Sequence, residues 1–201
     1  GSNSTSGGGG GFSNPTKSLE GTAGDDTLYG TGNSTLFGLS GNDLYIISNG
    51  ENSIIDLNTG DAIEIRSENG EAKESIIATA PHIMVFSADS RTINDGVIIL
   101  KSINSGSTIS IENAGQSLGS FTIMGGTGLD NITGGSGIDT IMGGAGGDII
   151  TIGTAGHGND DTIDGGAGSD VLQLSTGIHT FADDNKLKNV EKVQTHSPGS
   201  Q

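Results

Sequence analysis

Cysteine and tryptophan are missing from this chain of 201 residues, and aromatic side chains make up only 3% of it. Without cysteine, neither disulfides nor thiolate metal sites can contribute to stability. Basic residues are scarce as well: 8 Lys and Arg stand against 24 Asp and Glu, a formal net charge of -16. That balance excludes nucleic acid and anionic membrane as partners and points instead to cations. No apolar run approaches the ~20 residues that span a bilayer, so membrane insertion is not expected, and the N-terminus shows no basic and apolar signal-peptide regions. The three prolines, Pro15, Pro81 and Pro198, fall at segment edges, where a missing amide donor does least harm.

The residues that carry catalysis are no better represented. The four histidines, His82, His157, His179 and His196, are scattered, and there is no HExxH, no GxSxG with a plausible base and no Asp-Pro bond. Adjacent acids such as Asp25-Asp26 and Asp183-Asp184 read as solvated turns, because so few aromatics cannot line a sugar cleft. The chain is therefore not expected to be an enzyme. Its first residues, Gly1-Ser2 and the Gly/Ser-rich stretch to Gly11, read as a cleavage scar and flexible leader, and the whole as an excised piece.

Glycine is what the chain has in excess, at 37 residues. Each ordered glycine loses more backbone entropy than any other residue, so something besides side-chain burial must offset it. The glycines are periodic. From Gly125 the sequence reads GGTGLDNIT, GGSGIDTIM and GGAGGDIIT, then, after Ile152 to Ala155, GHGNDDTID and GGAGSDVLQ. Aligned, the sixth position is Asp130, Asp139, Asp148, Asp161 and Asp170, and the eighth is Ile132, Ile141, Ile150, Ile163 and Leu172. A weaker set, GTAGDDTLY, GTGNSTLF and GLSGNDLYI, begins at Gly21 and keeps the acid at Asp26 and Asp43, with Ser34 in the middle copy. Fewer or weaker sites are expected there.

Recurrence at this spacing has a physical reading. Six residues make a tight turn and three a short strand, so two nonapeptides close one coil and turns two repeats apart stack ~4.8 Å from each other. Stacking aligns Asp130 with Asp148, Asp139 with Asp161, and Asp148 with Asp170. Carboxylates so close repel, and bared turn carbonyls lie unsatisfied beside them. A hard divalent cation repairs both defects: Ca²⁺ takes six to eight oxygens in loose geometry, whereas Mg²⁺ demands an octahedron and keeps its waters. The composition predicts that the ion-free chain is largely disordered.

These nonapeptides resemble the RTX, or haemolysin-type calcium-binding, repeat GGxGxDxUx, closely over Gly125 to Gln173 and loosely over Gly21 to Ile46. The resemblance implies an all-β fold, a parallel β-roll or β-helix interrupted by a strand-rich segment, with type I secretion and folding triggered outside the cell by calcium. It implies side-chain ligands at Asp26, Asp43, Asp130, Asp139, Asp148, Asp161 and Asp170. Main-chain ligands are implied in the turns, at Gly125, Thr127, Gly134, Ser136, Gly143, Gly144, Ala145, Gly146, His157, Asn159, Gly166 and Gly168. His157 and Asn159 depart from the glycine pattern.

The expected organisation is a leader over 1–19, degenerate repeats and following strands over 20–65, and a β-rich connecting segment over 66–118. The main roll then covers 119–175, and a capping strand or helix with a disordered tail covers 176–201. The expected role is a calcium-binding structural module of a secreted or cell-surface protein such as an S-layer protein or adhesin. Calcium ions are its expected partners, with self-association or surface polysaccharide beside them. The alternatives are a carbohydrate-binding accessory of a secreted enzyme and the folding module of a toxin.

Overall fold

The computed structural model describes residues 17–66, 73–102, 106–115, 119–153, 160–175, 179, 181 and 185–195. Every regular element among them is a strand, and every pairing is parallel. One long sheet takes nine strands in chain order: Lys17–Glu20, Ser34–Phe37, Glu51–Ile54, Ile77–Ala80, Val97–Lys101, Ser120–Thr127, Thr140–Gly146, Thr162–Gly168 and Leu187–Lys188. The strands between them build the opposite wall. Thr27–Thr31, Leu44–Asn49, Ala62–Ile65 and Ile93–Asn94 form a four-stranded sheet at the N-terminal end. Val85–Ser87, Thr108–Ser110, Asn131–Thr133, Ile149–Ile152, Val171–Leu174 and Lys192–Thr195 form a six-stranded sheet at the other. The chain is thus a parallel β-solenoid.

The two opposite-wall sheets change over within one coil. That coil supplies both Val85–Ser87, the first strand of the six, and Ile93–Asn94, the last strand of the four. It is closed by the turn at Asp95-Gly96, where the Asn94 Oδ1 accepts the Gly96 N–H at 3.0 Å. The described strands within residues 66–118, read from the sequence as a connecting segment, therefore lie in the same sheets as the rest, and Val97–Lys101 pairs directly with Ser120–Thr127. The first strand begins at Lys17, inside the stretch read as leader, because Lys17–Glu20 pairs with Ser34–Phe37. At the far end Leu187–Lys188 and Lys192–Thr195 are strands of the same two sheets.

Alternation along each strand sends every second side chain inward. The eighth-position aliphatics Ile132, Ile141, Ile150, Ile163 and Leu172 are all fully buried. They stack in register, Ile132 on Ile150 on Leu172 along one wall and Ile141 on Ile163 along the other. The larger inward residues, Tyr45, Phe86 and Phe121, lie outside the repeats that follow Gly125.

The glycines shape the repeat coils in one unexpected respect. Pairing does not stop where the turn was expected: it runs on through Gly126, Gly144 and Gly166 and reaches Gly146 and Gly168. Gly144 and Gly146 hold φ of 112° and 145°, and a side chain on either would collide with the main chain of the preceding coil. Glycine there lets the backbone bend while its amides stay in the ladder.

Candidate metal centre

Each sixth-position aspartate sits one residue before a strand, at the bend where the chain leaves the previous wall. Its carboxylate turns along the solenoid axis to meet the preceding coil. Asp148 Oδ1 accepts the Asp130 N–H at 2.9 Å, and Asp170 Oδ1 accepts the Asp148 N–H at 2.8 Å. The column is closed above by Ser107, whose N–H donates to Asp130 Oδ1 at 2.5 Å and whose hydroxyl donates at 2.6 Å. Below, Glu191 Oε2 accepts the Asp170 N–H at 2.7 Å. A second column stands at the opposite edge of the long sheet, where Asp161 Oδ1 accepts the Asp139 N–H at 2.7 Å and Asp139 Oδ1 accepts that of Phe121 at 3.0 Å. A third runs through the N-terminal coils: Asp43 accepts from Asp26, and Asp61 from Asp43, both at 2.9 Å.

One oxygen of each carboxylate is thus spent on the ladder. The other, Oδ2, is buried without a hydrogen-bond partner on Asp130, Asp148 and Asp170, and likewise on Asp139 and Asp43. Leaving a charged acceptor dry and unpartnered costs well over the ~1–3 kcal/mol of a neutral one. Burial, opposed by the bond from the Phe121 amide and reinforced by the nearby Asp161, pushes the Asp139 carboxyl up to about 7. Burial likewise raises Asp148, with the charges of Asp130 and Asp170 adding to it, and raises Asp43.

The free oxygens of Asp130, Asp148 and Asp170 converge on the first glycine of their repeats. At Gly125 the space a side chain would fill is lined by Asp130 Oδ2 and the Gly143 carbonyl, at Gly143 by Asp148 Oδ2 and the Gly165 carbonyl, and at Gly165 by Asp170 Oδ2 and the Asn189 carbonyl. Strand pairing skips these three glycines, passing from Met124 and Met142 directly to Gly126 and Gly144. Among the described residues no three acidic or histidine side chains gather at one point. The acids instead meet pairwise along a column, with main-chain oxygens beside them. An all-oxygen set of carboxylates and carbonyls in a cradle that only glycine leaves open fits a hard cation of calcium's size.

The seven aspartates and two of the glycines singled out from sequence fall at these columns, and the other described ones do not. Asp130, Asp148 and Asp170 stand in one column with Gly125 and Gly143 at its cradles, Asp139 and Asp161 in another, and Asp26 and Asp43 in the third. Thr127, Gly144, Ala145, Gly146, Gly166 and Gly168 lie in the paired strands, and the Ala145 carbonyl already accepts the Gly128 N–H at 2.6 Å. Gly134, in the same turn as Ser136, faces the side chains of Ile141 and Ile152 and not a carboxylate. His157 and Asn159 lie outside the described residues. Sequence reasoning missed Asp61 and Glu191, which extend two of the columns without a GGxG before them. The signal that finds both is an acid two residues ahead of an aliphatic, as in Asp61-Ala62-Ile63, where Ile63 is buried, and Glu191-Lys192-Val193, where Val193 is exposed on the last strand.

Compared with known families, the chain matches the RTX calcium-binding nonapeptide repeat at residues 18–45, 122–151 and 155–177. The matched stretches contain all three aspartate columns except Asp61 and Glu191, and no catalytic domain is matched. Comparison with curated proteins and with solved structures returns no match. The buried aspartate columns, their glycine cradles and this match together make the chain a carrier of RTX calcium-binding nonapeptide repeats, wound as a parallel β-roll.

Proposed function

We propose that this chain is a calcium-conditioned structural module of a secreted or cell-surface protein, of the S-layer or adhesin kind, without catalysis of its own. The observation that carries the reading is the row of buried, unpartnered Oδ2 atoms on Asp130, Asp148 and Asp170 beside open glycine cradles. In this reading calcium is held between consecutive coils by Asp130 with Asp148 and by Asp148 with Asp170, together with the carbonyls of Gly143 and Gly165. Asp139 and Asp161 hold it at the opposite edge. When bound, the ion neutralises stacked carboxylates and ties one coil to the next.

The residues explain why such a module would respond to its surroundings. The repeat coils are short, with 18 or 22 residues between stacked aspartates, and each short strand after the turn buries its eighth-position aliphatic, with Ile152 as a second one in Ile149–Ile152. That burial contributes ~1.5–3 kcal/mol per side chain, whereas ordering the backbone costs ~1–2 kcal/mol per residue. With buried charge added, these coils need the ion. Extracellular calcium modules bind in the ~0.1–1 mM range, which couples their folding to export.

The decisive experiment is circular dichroism of purified chain in chelator and in ~5 mM CaCl₂, read with the metal content of the calcium-loaded protein. A gain of β signal with several bound ions per chain is expected. Identical spectra in both conditions would sink the proposal. Calcium-dependent growth of assemblies in light scattering is the outcome expected of a surface-layer role, and a calcium-loaded monomer at every concentration would count against that role alone.

A further inference from the structure

The three aspartate columns are built alike but are not left equally incomplete. In the N-terminal column the chain supplies its own partners. Asp26 Oδ2 accepts the Thr22 N–H at 2.5 Å and the Thr22 hydroxyl at 2.8 Å. Asp61 Oδ2 accepts the Asn58 N–H at 2.9 Å. At the cradle of Gly38, the counterpart of Gly125, the Tyr45 hydroxyl stands beside Asp43 Oδ2 where Gly125 has a carbonyl, and it accepts the Gly38 N–H at 3.1 Å and donates to Asp56 Oδ1 at 3.0 Å. Asp56 in turn holds the amides of Gly38 and Leu39 at 3.0 and 2.7 Å. At the last turn of this column Arg91, clamped by Asp89 at 2.9 Å, donates to the Gly60 carbonyl at 2.5 Å, beside Asp61. Asp43 alone in this column keeps an unpartnered Oδ2.

Among the described residues, the coils that follow carry no such column. Their interior is Ile76, Ala78, Ala80, Ile83, Phe86, Ile98, Leu100, Ile109, Phe121 and Ile123, all buried and continuous with Leu36, Tyr45, Ile54 and Ile63 above. This is where the large side chains lie, and burial of apolar area acts without any ion. From Gly125 onward the order reverses: one or two aliphatics inside each repeat strand and no fully buried aromatic, and a free buried carboxylate oxygen on Asp130, Asp139, Asp148 and Asp170.

We propose that residues 17–123 fold in the absence of calcium and present a finished coil on which the repeats from Gly125 assemble when the ion arrives. The inference rests on the calcium reading above and narrows the composition-based expectation of a wholly disordered ion-free chain. In physical terms the first part is a nucleus that removes the cost of starting a solenoid, so each later coil adds to an existing edge. Ser107 already holds Asp130 Oδ1 at that edge, so the first repeat aspartate has a partner within the preformed part.

Hydrogen–deuterium exchange of the full chain, resolved by segment, tests this in EDTA and across a calcium titration. In EDTA the strands holding Leu36, Tyr45, Ile63, Ile98 and Phe121 should exchange at least about tenfold more slowly than those holding Ile141, Ile150, Ile163 and Leu172. Calcium should then slow the second group. Protection appearing in both groups together at one calcium concentration overturns the inference while leaving the calcium reading intact. A chain whose exchange ignores calcium throughout overturns the calcium reading and this inference with it. Tyr45→Phe adds a second readout: in EDTA the amides of Gly38 and Leu39 should exchange about tenfold faster than in the unsubstituted chain, as expected for loss of a buried hydrogen-bonded contact. An unchanged rate there would show that the phenol does not complete the column.

Discussion

Residues 17–123 and the repeats after Gly125 share one backbone plan and are held together by different means. Both are parallel coils with an acid at the bend; the first part surrounds Tyr45, Phe86 and Phe121, the second surrounds isoleucines and leucines. Both use carboxylates to catch amides of the coil before. In the first part the spare oxygens of Asp26 and Asp61 meet donors on Thr22 and Asn58, even though Asp26 also faces a cradle at Gly21, while in the second the spare oxygens of Asp130, Asp148 and Asp170 face such cradles without a donor. On the proposed reading, the parallel solenoid does not itself require calcium. The requirement enters coil by coil, wherever a carboxylate oxygen is buried and the chain offers it no donor.

The largest effect that could break this contrast is loss of the apolar interior. Phe86→Ala should destabilise the chain by about 3–5 kcal/mol, the cost of a large cavity in a packed core. Denaturant midpoints should fall in EDTA as well as in calcium. If the substitution matters only when calcium is present, the first part has no ion-independent fold to lose.

Asp148→Ala should come next, because Asp148 lies mid-column with Asp130 on one side and Asp170 on the other. Its removal takes a carboxylate from two proposed ion positions and should move the calcium midpoint by tenfold or more, about 1.4 kcal/mol or above. Asp26→Ala, at the end of a column where Thr22 already satisfies Oδ2, should move it far less. Equal shifts from the two substitutions in a calcium titration would erase the distinction between the columns.

The smallest effect is that of pH on the ion-free repeats. The folded Asp139 carboxyl is raised to about 7 from its ordinary 3.8, and burial raises Asp148 in the same direction. Between those limits the folded repeats bind more protons than the unfolded ones, so stability falls as pH rises. It is fully present below 3.8 and lost as pH climbs through about 7. In EDTA, circular dichroism should therefore show more β structure near pH 4.5 than near pH 7.5, and the reverse trend would contradict the buried-carboxylate account. Asp61, raised to about 6, follows the same sign, so the first part should shift in the same direction.

Much of this was legible in the residues. The nonapeptide period places Asp130, Asp148 and Asp170 in one column as soon as two repeats make a coil, and the inward aliphatic two residues later follows from strand alternation. Asp61 and Glu191 escaped because the glycines that advertise a repeat are absent before them; only the acid and the aliphatic remain. The turn boundary was drawn too early for a similar reason. Periodicity marks where glycine recurs, but the extension of the ladder through Gly144 to Gly146 depends on a neighbouring coil already in place.

Sequence alone therefore determined the parallel coiling, the columns and the chemical class of the ion, because all three depend on spacing that recurs along the chain. Tertiary structure decided which carboxylate oxygens stay free. Tyr45 reaches Asp56, Arg91 reaches Gly60 and Ser107 reaches Asp130 across separations of 11, 31 and 23 residues. No local period encodes such contacts; they exist only once the coils are stacked and side chains from different turns share one wall.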